Sequence, residues 1–149
     1  MKDYTRIVLA TDFSKASEAA AERAANLSIS LGAELILFRV IEHFPEDETN
    51  EWIPPENVSP KKYFEEQARN NLNKLATKLK HEQTRQEIIF SNNSARHEII
   101  HFAKENKADL IVLGAQGNSI IGGLLAGLTG STAFGVTQGA SCDVLIVRE

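Results

Sequence analysis

The sequence lacks several features that mark particular classes of protein. Its 149 residues include one cysteine, Cys142, so an intrachain disulfide is excluded. The longest apolar stretch, Ile120 to Leu128, is broken by glycines and falls well short of the roughly 18 residues that a membrane-spanning helix needs. The first residues, MKDYTRIVLATDF, contain no apolar segment of the length found in signal peptides. We therefore expect a soluble, cytoplasmic protein.

Positive charge is also scarce. The chain has 16 Lys and Arg against 20 Asp and Glu, a formal net charge of −4, and its basic residues form no cluster. Nucleic-acid-binding domains usually present a basic face or stripe, so nucleic acid is not an expected partner. The length and a hydrophobic fraction of 42% are typical of one globular domain, which we take to be residues 1–149.

Five short apolar runs alternate with stretches of helical periodicity. The runs are continuous, which is typical of parallel strands buried on both faces, and they cover 7–10, 35–38, 88–90, 110–113 and 144–147. Capping signals predict helices from Ser14 or Ser17 to Gly32, from Ser59 to about Leu79, from Ser94 to about Asn106, and, interrupted by Gly135, after Ser131. This alternation predicts an α/β fold with a doubly wound parallel sheet.

The segment from Glu42 to Pro60 departs from this pattern. It is rich in proline and acidic residues and contains no Lys or Arg, so it is predicted to be a loop. We interpret it as a solvated connection. The alternative is a lid or a partner-binding segment anchored by Trp52.

Residues 97–101 read HEIIH, the spacing at which zinc proteases present two histidine ligands and a catalytic glutamate. On a helical wheel Ile99 and Phe102 share one side, and both histidines lie on the other. A catalytic zinc also needs a third protein ligand, and no histidine follows His101. We interpret the histidines as a solvated polar face, with adventitious metal binding as the alternative.

The glycine-rich stretch from Gly114 to Thr132, GAQGNSIIGGLLAGLTGST, is the strongest chemical signal. It runs from the end of the fourth predicted strand to a predicted helix start, which is where α/β folds bind phosphates. Glycines let the backbone approach an anion, and a helix start supplies N–H donors. Neither a Walker A loop nor a dinucleotide fingerprint is present. The alternative is structural, with glycines that only permit tight turns.

Four segments together resemble the universal stress protein family: RIVLATDFS, LGAELILFRV, ADLIVLGAQG and GSTAFGVTQGASCDVLIVRE. The resemblance covers essentially the whole chain and implies five parallel strands in the order 3-2-1-4-5, with about four helices on both faces. Members that bind ATP share a Gly-x2-Gly-x9-Gly-Ser/Thr motif. Gly114 and Gly117 match its first pair, and Gly130-Ser131 matches its end after three additional residues. We interpret these as an insertion that retains the phosphate end.

The resemblance implies an ATP site, with Mg²⁺ as a candidate companion ion, at the carboxyl ends of the first and fourth strands. The implied nucleotide-binding residues are Ala10, Thr11, Asp12 and Val40 for adenosine, Leu113, Gly114, Gln116 and Gly117 for the opposite wall, and Gly130, Ser131 and Thr132 for the phosphates. Asp12 would face the ribose or its local backbone, with helix capping as the alternative. Arg39 and Asp143, where the family often has His and Pro, are treated as neutral.

The resemblance also implies a homodimer through the C-terminal strand, DVLIVRE, and an ATP-dependent regulator of the stress response. Only weak ATP hydrolysis is expected, because the stretch from Gly114 to Cys142 contains no Lys or Arg to neutralise charge near a γ-phosphate. The alternative function is a dimeric interaction protein of the same fold that binds no nucleotide. A catalytic ATP-using enzyme would need a Ser-Gly-Gly-x-Asp-Ser signature where this chain reads ATDFSKAS.

Overall fold

The described part of the chain has four helices, which cover the two faces of one parallel sheet. The computed structural model describes residues 3–42, 59–115 and 130–148. The strands are β1 Arg6–Ala10, β2 Glu34–Glu42, β3 Thr84–Ser91, β4 Leu110–Gly114 and β5 Asp143–Val147. The helices are α1 Lys15–Leu31, α2 Pro60–Leu79, α3 Ala95–Glu105 and α4 Ser131–Gly139. In these ranges no helix is long and apolar enough to cross a bilayer.

The sheet has the order β3-β2-β1-β4-β5, and every neighbouring pair is parallel. The predicted α/β class and strand order are therefore confirmed. The strands β2 and β3 are longer than their apolar runs suggested, and they pair over eight residues. Between β2 and α2, residues 43–58 of the predicted loop, with Trp52, lie outside the described residues.

Serine side chains begin three of the four helices. Ser14, Ser59 and Ser94 each accept a hydrogen bond from the backbone N–H three residues further on. Each bond satisfies one of the donors that the first turn of a helix leaves without an intrahelical partner. The fourth helix begins at Gly130, which has no side chain to supply such a cap.

Each face of the sheet has its own apolar core. On one face Leu9 and Leu37 pack against alanines of α1 and leucines of α2. On the other face the strands pack against α3 and α4, and the ring of Phe38 stacks on that of Phe102 with centroids 4.1 Å apart. Burial on both faces explains why the strand sequences are continuously apolar.

The helix α4 continues through Gly135, where the sequence predicted an interruption. A Cβ at Gly135 would overlap the side chain of Arg96 on α3. The missing side chain lets these two helices approach each other closely, and this packing offsets the low helix propensity of glycine.

The edge strand β5 pairs with β4, and its residues Val144, Leu145 and Ile146 are half-buried. At its start the Asp143 carboxylate accepts a hydrogen bond of 2.7 Å from the Tyr4 hydroxyl, and this bond raises the pKa of Tyr4. Asp143, treated as neutral from the sequence, thus joins the segment before β1 to the start of β5.

The turn from β1 into α1 comes before the end of the neighbouring strand β2. Ala10 pairs with Phe38, and the Thr11 N–H donates to the Phe38 carbonyl over 3.0 Å. Beyond that bond β2 continues to Glu42 and, within the described ranges, pairs with β3 only. After β1 the chain continues into α1, which covers one face of the sheet. The helix that follows β4, α4, covers the opposite face. A crevice opens where neighbouring strands diverge in this way.

We predict that Ser28→Ala stabilises the protein. Ser28 is fully buried in α1, and within the described ranges its hydroxyl has no hydrogen-bond partner. Removing a buried polar group without a partner should raise the free energy of unfolding by about 1 kcal/mol, measured by urea denaturation.

Ser17→Ala is the matched control. The Ser17 hydroxyl is also buried in α1 but donates to the Ser14 carbonyl over 2.8 Å. Its removal should lower stability, and effects of the same sign in both variants would contradict the prediction.

Candidate functional site

A cavity of about 350 Å³ lies at the carboxyl edge of the sheet between β1 and β4. Its volume is within the range of small-molecule sites, roughly 300 to 1,000 Å³. The sequence-predicted residues that line it are Ala10, Thr11, Asp12, Val40, Leu113, Gly114, Gly130, Ser131 and Thr132. The other two, Gln116 and Gly117, lie outside the described residues.

The wall contains further residues that sequence reasoning did not assign to it: Ser14, Ser17, Phe38, Arg39, Ile41, Glu42, Ala95, Ile99, Ala115 and Ala133. Arg39, which the sequence analysis treated as neutral, is one of these lining residues. The position of Arg39 beside Val40 on β2 was the signal that could have found it. Ala95 and Ile99 come from α3, whose contact with the cavity has no local signature in the sequence.

At one end of the cavity β2 presents a strand edge. The backbone groups of alternate residues on a strand point to the same side, so those of Val40 point the same way as those of Phe38. On that side the Phe38 carbonyl accepts from the Thr11 N–H. The segment that follows β1 then turns away into α1, so β1 does not extend alongside Val40. Within the described ranges no strand lies on this side of Val40. Its N–H and C=O thus offer one donor and one acceptor toward the cavity.

Side-chain hydrogen bonds fix the turn from β1 into α1. The Thr11 hydroxyl donates to Ser17 Oγ over 3.2 Å and accepts from the Phe13 N–H over 3.1 Å. Asp12 Oδ1 accepts from the Ser14 N–H over 3.0 Å. Phe13 has φ of 62°, a left-handed conformation that is uncommon for a residue with a side chain. These bonds stabilise the turn that precedes Ser14, the N-cap of α1. Asp12 contributes to the turn from the cavity wall.

Two helix starts border the cavity, and they differ in what already occupies them. At the start of α3, Ser94 caps the helix and Glu42 Oε1 accepts from the Ala95 N–H over 2.7 Å. At the start of α4, Gly130 provides no side-chain cap, and Ser131 and Thr132 line the cavity. Because a helix start attracts negative charge, that of α4 suits an anionic ligand, whereas that of α3 already holds a carboxylate.

Arg39 supplies the one cationic side chain among the described residues that line the cavity. Burial lowers the pKa of Arg39, and the nearby carboxylates of Asp12 and Glu42 oppose that shift. An arginine remains protonated at neutral pH under such conditions. Its guanidinium carbon lies 5.6 Å from the centroid of the Phe13 ring, within the range of a cation–π interaction.

Gly114 has a packing role at the base of the cavity. A Cβ at this position would lie 2.7 Å from the carbonyl carbon of Ala16 and 2.8 Å from its Cβ. Ala16 belongs to the first turn of α1, so glycine allows the end of β4 to pass close to that helix. This observation supports the structural interpretation for this one glycine of the loop.

We predict that Gly114→Ala lowers the free energy of unfolding by about 1–3 kcal/mol, because backbone atoms must move to accept the methyl group. Chemical denaturation would measure the change. Gly139→Ala is the control, since its Cβ would meet the movable end of the Ile100 side chain, 2.7 Å away. Equal stability of the two variants would contradict the assignment.

The HEIIH helix places its histidines on the surface. His97 and His101 are exposed, whereas Ile99 and Phe102 are buried, as predicted. Hydrogen bonds from Ser91 Oγ and Asn93 Nδ2 hold the Glu98 carboxylate and lower its pKa. In the described parts of the chain, no three potential metal ligands form a group. Glu98 thus stabilises the turn between β3 and α3.

Comparison with known proteins identifies the family. The profile of the Universal stress protein family matches residues 3–148. The chain belongs to the universal stress protein family. Universal stress protein A homolog 1 of Coxiella burnetii is 34% identical over 144 residues, which are 97% of this chain and 96% of that protein. The predicted family resemblance is therefore confirmed.

Solved universal stress proteins share the fold. UspA of Lactobacillus plantarum is 25% identical and superposes with a TM-score of 0.77, covering 99% of this chain and 100% of its own. A universal stress protein solved in complex with cAMP is 24% identical, with a TM-score of 0.68 and 98% of each chain covered.

Proposed function

We propose that this universal stress protein binds ATP or a related adenine nucleotide in the cavity between β1 and β4. Bound nucleotide would switch its action as a cytoplasmic regulator of the stress response. The observation that carries the proposal is the pairing, in one cavity, of a strand edge at Val40 with an uncapped helix start at Gly130. The complex of a structural neighbour with cAMP supports the choice of an adenine nucleotide.

The Val40 end suits the adenine base. Adenine carries an amino donor at N6 beside a ring acceptor at N1, which matches the carbonyl and N–H of one strand residue. Ala10, Ile99 and Leu113 add apolar surface to the cavity wall, and they belong to the same apolar cluster as Val40. A base there would make backbone hydrogen bonds and bury its ring, the combination that small-molecule sites commonly use.

The α4 end suits the phosphates. Ser131 and Thr132 bring hydroxyls and backbone N–H groups to the positive end of the helix. The one cationic residue of the described wall, Arg39, lies on β2 and not on α4, so Mg²⁺ would neutralise part of the phosphate charge. Their hydroxyl oxygens are of the type that Mg²⁺ accepts beside phosphate and water. This donor set favours binding over efficient hydrolysis.

Calorimetric titration of the nucleotide-stripped protein with adenosine, AMP and ATP, with and without Mg²⁺, tests the proposal. We expect affinity to rise with the number of phosphates, because these reach the start of α4. Equal affinity for adenosine and ATP would contradict the phosphate assignment. The absence of binding to all three would favour the alternative, a dimeric interaction protein that binds no nucleotide.

We predict that Gly130→Val weakens ATP binding about tenfold or more and leaves adenosine binding nearly unchanged. Gly130 has φ of −60° and ψ of 157°, which a residue with a side chain also adopts, so the substitution tests space at the phosphate end and not backbone strain. Retained adenosine binding shows that the variant is folded. An unchanged ATP affinity would remove Gly130 from the site.

We also propose a homodimer through β5. This strand is at the sheet edge, and its three central apolar side chains are only half-buried. An exposed apolar edge is a liability that a second copy would cover. Sedimentation equilibrium should therefore give twice the chain mass of 16.4 kDa, and a monomer at micromolar concentration would contradict this assembly.

A further inference from the structure

We propose that Arg39 stacks its guanidinium on the base of the bound nucleotide and thereby selects purines over pyrimidines. The inference rests on the proposed function, because it requires the base to reach the main chain of Val40. It assigns a role to a side chain that the family resemblance left neutral.

The alternation of side chains along β2 places Arg39 on the correct side. Val40 points into the core formed with α3 and α4. Its neighbour Arg39 points to the opposite face and lies over the ring of Phe13, which packs against the core formed with α1 and α2. A base that bonds to the edge of Val40 continues the plane of the sheet. One ring face would then meet Ile99 of α3, and the other would meet Arg39.

A guanidinium suits this position. It is planar and weakly hydrated, and it stacks on aromatic rings more readily than an ammonium group does. The Arg39 guanidinium already lies over the ring of Phe13, and the negative charges of Asp12 and Glu42 attract it. A restrained side chain loses less conformational freedom when the ligand binds.

The same surroundings argue against a phosphate at Arg39. Asp12 and Glu42 line the cavity and interact electrostatically with Arg39, so this part of the wall has two carboxylates for one cation. Glu42 also occupies the start of α3. A phosphate would be repelled here and attracted to the start of α4. Arg39 is therefore assigned to the uncharged base and not to a phosphate.

The test compares Arg39→Ala with Arg39→Lys, which keeps the positive charge but lacks the planar guanidinium group. Calorimetry with adenosine, ATP and CTP should show that Arg39→Ala weakens adenosine and ATP binding by the same factor, about fivefold or more. The preference of the native protein for ATP over CTP should shrink in parallel. Arg39→Lys should restore little of either, and unchanged circular dichroism spectra and melting temperatures would show that both variants are folded.

Four results would overturn the inference. A loss that grows with the number of phosphates, or ATP binding restored by Arg39→Lys, would make Arg39 a phosphate-binding charge. Native affinity in Arg39→Ala would make it a wall residue only. If the native protein itself bound no nucleotide, the proposed function would fall, and this inference with it. Titration of the native protein would reveal that last result before any variant is made.

Discussion

The early end of β1 is the constraint on which the rest of the structure depends. β1 stops at Ala10, while β2 continues from its partner Phe38 to Glu42, four residues further. The continuation exposes one edge of β2, and the divergence of α1 and α4 to opposite faces opens the space beside it. Closing that space would bury the backbone groups of Val40 without partners, which is costly. The fold therefore has a cavity here for a topological reason, before any side chain specialises it.

The charged and polar groups around the cavity divide it into two unlike ends. Glu42 bonds to the start of α3, and Asp12 stabilises the turn before α1, so both carboxylates belong to the part of the wall that holds Arg39. The start of α4 has no side-chain cap. A ligand with a neutral ring and an anionic tail fits this division in one orientation only. The proposed orientation of the nucleotide thus follows from which helix start is already occupied.

The sequence predicted the elements of the fold better than the contacts between them. Continuous apolar runs identified all five strands, and serines indicated three helix starts, at Ser59, at Ser94 and at either Ser14 or Ser17, because both signals are local. The strand order came from the family resemblance. The polar residues Arg39 and Glu42 interrupt the apolar pattern at the end of β2, and Arg39, Ile41 and Glu42 were not assigned to the cavity wall. The fit of Gly114 against Ala16 depends on a pair of residues far apart in the chain, which no local pattern records.

The most direct test of the central claim is a crystal structure of the protein with ATP and Mg²⁺. The account predicts that the adenine edge bonds to the N–H and C=O of Val40 and that the phosphates contact Gly130, Ser131 and Thr132. A nucleotide bound in the reverse orientation, with phosphates beside Glu42, would contradict the charge argument. A nucleotide bound outside the cavity would contradict the site itself.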